Sequence, residues 1–316
     1  AGDALTTGNY NVALGYNALS TEDEHSANTA IGFSSLAVLN AGAHGYNTAV
    51  GYESGKQMTT GIVNTLMGGL AADALTTGTA NVALGYAALS SETGGSNNIA
   101  IGNNALVSQN VGSGNNYNIA IGYNAGTNVT TGTLNTIIGG LAGDALTTGI
   151  SNIAVGYRAL SAEDAHGQNV AIGSFALAAQ DAGADAYNVA VGASAGSAVT
   201  TGIRNTLIGG LAGDALTTGN FNIAIGYTAL GAENAHGKNV AVGYAALAVQ
   251  DAGADAYNVA VGFEAGLSVT TGLRNTLIGG IAGDALTEGS DNVAVGYGAL
   301  TTEDAHGRNT AVGMNT

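Results

Sequence analysis

Residues 152–177 read NIAVGYRALSAEDAHGQNVAIGSFAL, and the five-residue core Asn152-Ile153-Ala154-Val155-Gly156 returns in the same stretch as Asn169-Val170-Ala171-Ile172-Gly173. Working outward, the same core opens at Asn11, Asn28, Asn47, Asn64, Asn81, Asn98, Asn118 and Asn135, and again at Asn188, Asn205, Asn222, Asn239, Asn258, Asn275, Asn292 and Asn309. In all eighteen copies Asn is followed by Val, Ile or Thr, then two positions later by Val, Ile, Leu or Met, then by Gly. The step from one asparagine to the next is usually seventeen, as from Asn152 to Asn169, and sometimes nineteen or twenty, as from Asn169 to Asn188 and from Asn98 to Asn118. Every fourth copy falls at a nearly constant interval, as Asn11, Asn81, Asn152, Asn222 and Asn292 show. Four short repeats therefore make one long repeat, with units of about 1–70, 71–141, 142–211, 212–281 and a partial 282–316.

So short a period cannot hold a pair of helices, and a fixed glycine among β-branched residues disfavours helix. The pattern instead predicts an all-β parallel β-solenoid of about 18 coils, equivalent positions stacking at the normal strand separation to give a single repetitive rod on the order of 85 Å long. Alternate strand residues face opposite ways. Ile153 and Val155 thus share one face, and Asn152, Ala154 and Gly156 the other. Asparagines such as Asn11, Asn28, Asn47, Asn64, Asn81, Asn152, Asn222 and Asn292 are expected to bond amide to amide along a ladder, while Gly15, Gly85, Gly156, Gly226 and Gly296 supply a backbone conformation closed to other residues. No copy carries a charge on either strand face, so both faces are expected to be buried. So thin a coil would leave its small-residue face wet if it stood alone, which assigns Ala154, Ala159, Ala224 and Ala229 to close contact with neighbouring chains or sheets.

Composition narrows the function classes. The 316 residues carry 22 acidic and 6 basic side chains, a formal charge of −16, and charged residues make up only 9%, against roughly 25% in ordinary globular domains. Clustered Lys and Arg, which phosphate-backbone binding needs, are missing, so nucleic acid is not an expected partner. There is no cysteine, hence no disulfide framework, thiolate metal site or cysteine nucleophile. Gly, Asn and Thr interrupt every apolar run, so no membrane insertion is expected. A basic, hydrophobic leader is also missing, and an export signal is expected to lie outside this sequence or to have been removed.

The strings NVALGYNAL from Asn11, NIAIG from Asn98 and NVAVG from Asn258 resemble the head repeats of YadA-like trimeric autotransporter adhesins. With their GYxAL continuation and TTG turns they are still more similar to the N-x-A-x-G repeat tracts of phage tail fibres. The likeness covers essentially the whole chain. It implies a homotrimeric, parallel β-roll, left-handed in the adhesins, at an extracellular, cell-surface or virion location. The sequence departs from the adhesin pattern in its longer coil and in replacing the serine after the core, often by Tyr-x-Ala. No chaperone domain, membrane anchor or coiled-coil stalk is expected within these 316 residues.

Several residues could carry chemistry. The loops at Thr21–His25, Ser161–His166, Gly231–His236 and Thr301–His306 put carboxylates beside a histidine, and Glu163, Asp164, His166, Asp181 and Asp185 are the candidate metal ligands, with calcium the candidate cation. The leading reading is nevertheless a solvated loop, since the second long repeat has SETGGS there. Asp3, Asp73, Asp144, Asp214 and Asp284 suit Asx-type turns. Tyr16, Tyr86, Tyr157, Tyr227 and Tyr297 are expected to pack at a corner with the hydroxyl wet, and the paired threonines appear in too few coils for a dense ice-like lattice. Repeated identical acids do not make a convergent active site, so neither catalytic residues nor a cofactor are expected. Two readings remain. One is the structural shaft or head of a fibre that presents a receptor-binding tip to a cell-surface glycan or protein receptor. The other is a lateral binding module for glycan, matrix or ice, or a filament built by end-to-end stacking.

Overall fold

A computed structural model describes residues 1–316; it is all-β, contains no helix, and so has no helix long and apolar enough to cross a membrane. The chain is a parallel β-solenoid of about 18 coils, which group into two compact units, residues 1–157 and 158–316. In the first unit the motif strands are Val12–Leu14, Thr29–Ile31, Thr48–Val50, Thr65–Met67, Val82–Leu84, Ile99–Ile101, Ile119–Ile121, Thr136–Ile138 and Ile153–Val155. In the second they are Val170–Ile172, Val189–Val191, Thr206–Ile208, Ile223–Ile225, Val240–Val242, Val259–Val261, Thr276–Ile278, Val293–Val295 and Thr310–Val312. Within each unit successive strands pair in parallel without slippage: Val12 lies opposite Thr29 and Ala13 opposite Ala30, as Val240 lies opposite Val259 and Ala241 opposite Ala260. Where a coil is longer, the extra residues stay in the loop; one such loop adds a short pairing of Gly95–Ser96 with Gly114–Asn115.

Each coil closes because residues at fixed positions adopt left-handed backbone. In the coil opened by Asn222 these are Phe221 (φ 60°), Thr228 (φ 53°) and Leu230 (φ 53°). The motif glycine is a separate case. Gly209 has φ 134°, and a Cβ there would sit 2.5 Å from the Gly226 carbonyl oxygen of the next coil. Gly15, Gly85, Gly156, Gly226 and Gly296 share that conformation, so backbone stacking and not turn propensity alone demands glycine.

The core lies inside the coil and reverses the expectation for the alanines. Ala154, Ala159, Ala224 and Ala229 are fully buried within their own chain, so they face the lumen and are not available to a partner. Ile153 and Ile223, by contrast, are both 38% exposed and form part of an outer face with Val240, Val242 and their equivalents. The expectation that both strand faces are buried therefore holds only for the inner one. The reason is the width of the lumen. So short a coil holds its walls close together, with small Ala224 and larger Leu230 both fully buried in the one lumen, and a β-branched residue at every rung would overfill it.

Size compensation along the lumen supports this account. Where Leu207 replaces the motif alanine, the position that usually carries an inward leucine is Gly213 in the same coil and Gly196 in the preceding one. A Cβ on Gly196 would lie 2.6 Å from Leu207 Cδ1, and one on Gly213 2.8 Å from Leu207 Cδ2. Leu66, Ile137 and Leu277 are likewise buried beside Gly55, Gly126 and Gly266. Each buried leucine is worth roughly 1.5–3 kcal/mol relative to exposure, so filling the lumen without overfilling it is the main source of cohesion.

The asparagine ladder combines main-chain and amide-to-amide bonds. The main-chain N–H of each asparagine donates to Oδ1 of the one before, as Asn28 to Asn11 (2.9 Å), Asn64 to Asn47 (2.9 Å) and Asn222 to Asn205 (2.9 Å). The Nδ2 group donates to a carbonyl of the following coil, as Asn47 to Gly61 (2.9 Å) and Asn205 to Gly219 (2.9 Å). The expected direct amide-to-amide bonds accompany these from Asn28 through Asn47, Asn64 and Asn81 to Asn98 (3.1–3.2 Å) and between Asn275 and Asn292 (3.1 Å). A fully buried asparagine thereby satisfies main-chain groups at a corner that no strand pairing reaches.

Candidate functional site

The acidic loops are the natural place to seek chemistry, and the structure gives their members separate roles. Glu163, Asp164, His166 and Asp181 come together, each offering one atom within 4.8 Å of the others; so do Glu22, Asp23 and His25, Glu233, His236 and Asp251, and Glu303, Asp304 and His306. Asp185 stays outside its group and accepts hydrogen bonds from the Gly167 N–H (2.9 Å) and Gln168 Nε2 (3.1 Å).

The glutamate of these loops is not a solvated side chain. Glu22, Glu92, Glu163 and Glu233 are fully buried. Oε1 accepts a main-chain N–H from the same loop, that of Gly95 at 2.8 Å, His166 at 3.1 Å and His236 at 3.1 Å. Oε2 accepts from a glutamine in the next coil: Gln109 to Glu92 at 3.0 Å, Gln180 to Glu163 at 3.2 Å and Gln250 to Glu233 at 3.1 Å. The glutamine carbonyl in turn accepts from the ladder asparagine, Asn118 at 2.9 Å, Asn188 at 3.0 Å and Asn258 at 2.8 Å. A buried Glu–Gln–Asn relay thus ties the acidic loop to the ladder, and charge-assisted bonds of this kind are the strong ones. Leu39 replaces the glutamine in the second coil, and Glu22 Oε2 there has no hydrogen-bond partner.

Calcium takes six to eight oxygen ligands, whereas each cluster supplies three or four atoms, one of them a glutamate oxygen already engaged by main-chain N–H. The chemistry these loops perform in the fold is therefore corner capping. The sequence held a signal for it: Glu92 persists in SETGGS, where the other acids and the histidine vanish, and Gln109 holds the matching place in the next short repeat. Reading the loops by net acidity concealed that pattern.

The outward face carries the remaining candidates. Tyr16, Phe33 and Tyr52 stack at centroid separations of 5.4 and 5.3 Å, and Tyr227, Tyr244 and Phe263 at 5.9 and 5.2 Å. Tyr86 leans over Gly69. These rings pack on one another while remaining about half exposed, as the sequence leads one to expect. A second column, immediately before each ladder asparagine, was not foreseen. In residues 158–316 it runs Gln168, Tyr187, Arg204, Phe221, Lys238, Tyr257, Arg274, Asp291, Arg308 and so holds four of the six basic residues. Arg204 lies over Phe221 (5.4 Å) and Lys238 over Tyr257 (5.0 Å). Lys238 Nζ also donates to Asp255 (2.6 Å), and Arg274 donates twice to Asp291 (2.6 and 3.0 Å). The bond from Lys238 holds the Asp255 carboxyl below its ordinary value, and that from Arg274 does the same for Asp291. Asp73 and Asp214, at inward-turning corners, are pushed up instead, chiefly by burial. Both ion pairs are exposed, and each links one coil to the next.

The acids thus fall into buried caps, such as Glu163 and Glu233, and surface pairs, such as Asp255 and Asp291. No protein-family model and no curated protein matches the chain.

Proposed function

We propose that the chain is the structural shaft or head of an extracellular or virion fibre, assembled as a homotrimer, that holds a receptor-binding tip at a distance. The observation that carries this reading is the outer strand face. Aliphatic residues recur there coil after coil, Ile153, Ile172, Ile208, Ile223, Val261 and Ile278 being 36–40% exposed, flanked on one side by stacked aromatics. Continuous apolar surface of this kind marks an interaction site. Identical chains offer a partner whose apolar rows have the same coil spacing, and three thin coils about one axis give each chain two neighbours. The interface in this reading is the β-branched column, and the buried alanines take no part in it. The long repeat then sets fibre length in modular increments.

The test is the mass of the particle by light scattering, together with its image in negative stain. Three times the 30.7 kDa chain mass, in an elongated three-fold particle, is expected. Replacing Val240 and Val242 together by lysine should release monomers that keep their β spectrum. A wild-type protein that stays monomeric at micromolar concentration would overturn the assembly and with it the fibre.

A further inference from the structure

The column before the ladder asparagines changes character in the first three coils, where it reads Tyr10, Ala27, Tyr46. All three have left-handed backbone (φ 61°, 66° and 50°) and project outward, and the Ala27 N–H donates to the Asn9 carbonyl of the preceding coil (3.1 Å). In residues 158–316 the space beside Phe221 and beside Tyr257 is taken by a neighbouring cation. Here the middle rung is a methyl group, so two phenol rings stand two coils apart with a gap between them. The recess is lined by Asn9, Tyr10, Ser26, Ala27, His44 and Tyr46. Tyr10 and Tyr46 are 90% and 60% exposed. The His44 ring packs edge-on to Tyr46 (6.1 Å) and steadies that wall.

Two strand spacings place the walls about 10 Å apart. A six-membered ring inserted midway would lie about 5 Å from each phenol, within the roughly 4.5–7 Å range of favourable ring pairs. The rim offers hydrogen-bonding groups: the Asn9 amide, the His44 imidazole and the Ser26 hydroxyl, whose oxygen already accepts the Asn9 main-chain N–H (2.7 Å). No carboxylate lines the recess, which disfavours an organic cation, and no Lys or Arg lines it, which disfavours an anion. Apolar walls with a few polar groups at the edge match a ring whose faces are C–H and whose rim is hydroxyl. We propose that Tyr10 and Tyr46 form a clip for one neutral pyranose ring of a glycan. The clip stands on its own lining and does not depend on the fibre reading.

Saturation-transfer NMR on the full chain, in whatever assembly it forms, with the methyl pyranosides of glucose, galactose and mannose at millimolar concentration tests the clip. At least one sugar should receive saturation through its ring C–H protons, and Tyr10→Ala should weaken the effect at least tenfold. Ala27→Leu should do the same by filling the gap; Leu134 occupies the equivalent position with φ 62°, so this variant retains the fold. Tyr86→Ala, outside the column, should leave the signal unchanged. No transfer to any sugar, transfer untouched by both column variants, or transfer only to an aromatic probe such as benzylammonium would each overturn the proposal.

Discussion

Truncation of Leu207 to alanine probes the packing logic of the lumen most directly. Leu207 is fully buried and fills the space left by Gly196 and Gly213, whose hypothetical Cβ atoms would lie 2.6 and 2.8 Å from its methyl groups. Deleting it removes three buried carbons and leaves a void that two glycines cannot close. Large-to-small replacements of leucine cost about 2–5 kcal/mol, rising with the volume left empty, and a site bordered by rigid paired backbone belongs in the upper half of that range. The coil pattern itself supplies a rescue. Most coils have alanine at the motif position and leucine at the place of Gly213, where Leu230 and Leu247 adopt φ 53° and 49° against 56° for Gly213. The double variant Leu207→Ala, Gly213→Leu therefore rebuilds the ordinary coil, less about 1–2 kcal/mol for a left-handed residue other than glycine. Because stability in repeat proteins is distributed over neighbouring units, the assay should combine urea unfolding with hydrogen exchange resolved to residues 205–222. A cost below about 1 kcal/mol for the single variant, far under the expected range, or a double variant less stable than the single, would refute lumen packing as the source of cohesion.

Other perturbations separate the remaining devices. Asn205→Ala removes the acceptor of the Asn222 N–H and the donor to Gly219; at about 1–3 kcal/mol for each orphaned buried group, a loss of several kcal/mol and fast exchange of the Asn222 amide are expected. Gln250→Leu reproduces the Leu39 arrangement and strips Glu233 Oε2 of its partner, so calorimetry should show a net destabilisation of about 1–3 kcal/mol after the apolar gain. The ion pairs give a pH signature of known sign. Asp255 and Asp291 lie below the ordinary 3.8 because of Lys238 and Arg274, so their support is present above that value and is lost as pH falls through the lower folded pKa. Lys238→Gln should move the Asp255 carboxyl resonance titration upward, and an unchanged midpoint would remove the pair from the account. Asp73 and Asp214, raised from 3.8 by burial, act in the opposite sense: their penalty is absent at low pH and grows as pH rises past that value. Asp214→Asn should therefore stabilise the fold near neutral pH, and more so there than in acid.

What was legible in the sequence was the set of rungs. Eighteen registered copies of Asn, an aliphatic pair and Gly mark where strands lie and in what register, because each rung needs the same side-chain bond and the same close approach of backbone as the next. Even Leu207 and Glu92, which break the local pattern, are visible as regular departures. Their meaning was not visible, because each is defined by a neighbour in the adjacent coil: Gly196 for Leu207, and Gln109 for Glu92.

The sequence by itself determined the parallel solenoid, its period and its register, since these follow from spacing and from the alternation of side chains along a strand. That alternation divides residues into two sets without saying which set points inward. Only the closed coil decided it. Its walls are too near one another for β-branched rows, so alanine, leucine and the capping glutamates Glu22, Glu92, Glu163 and Glu233 went inside, and the aliphatic rows, with Tyr10 and Tyr46 beside them, were left facing out.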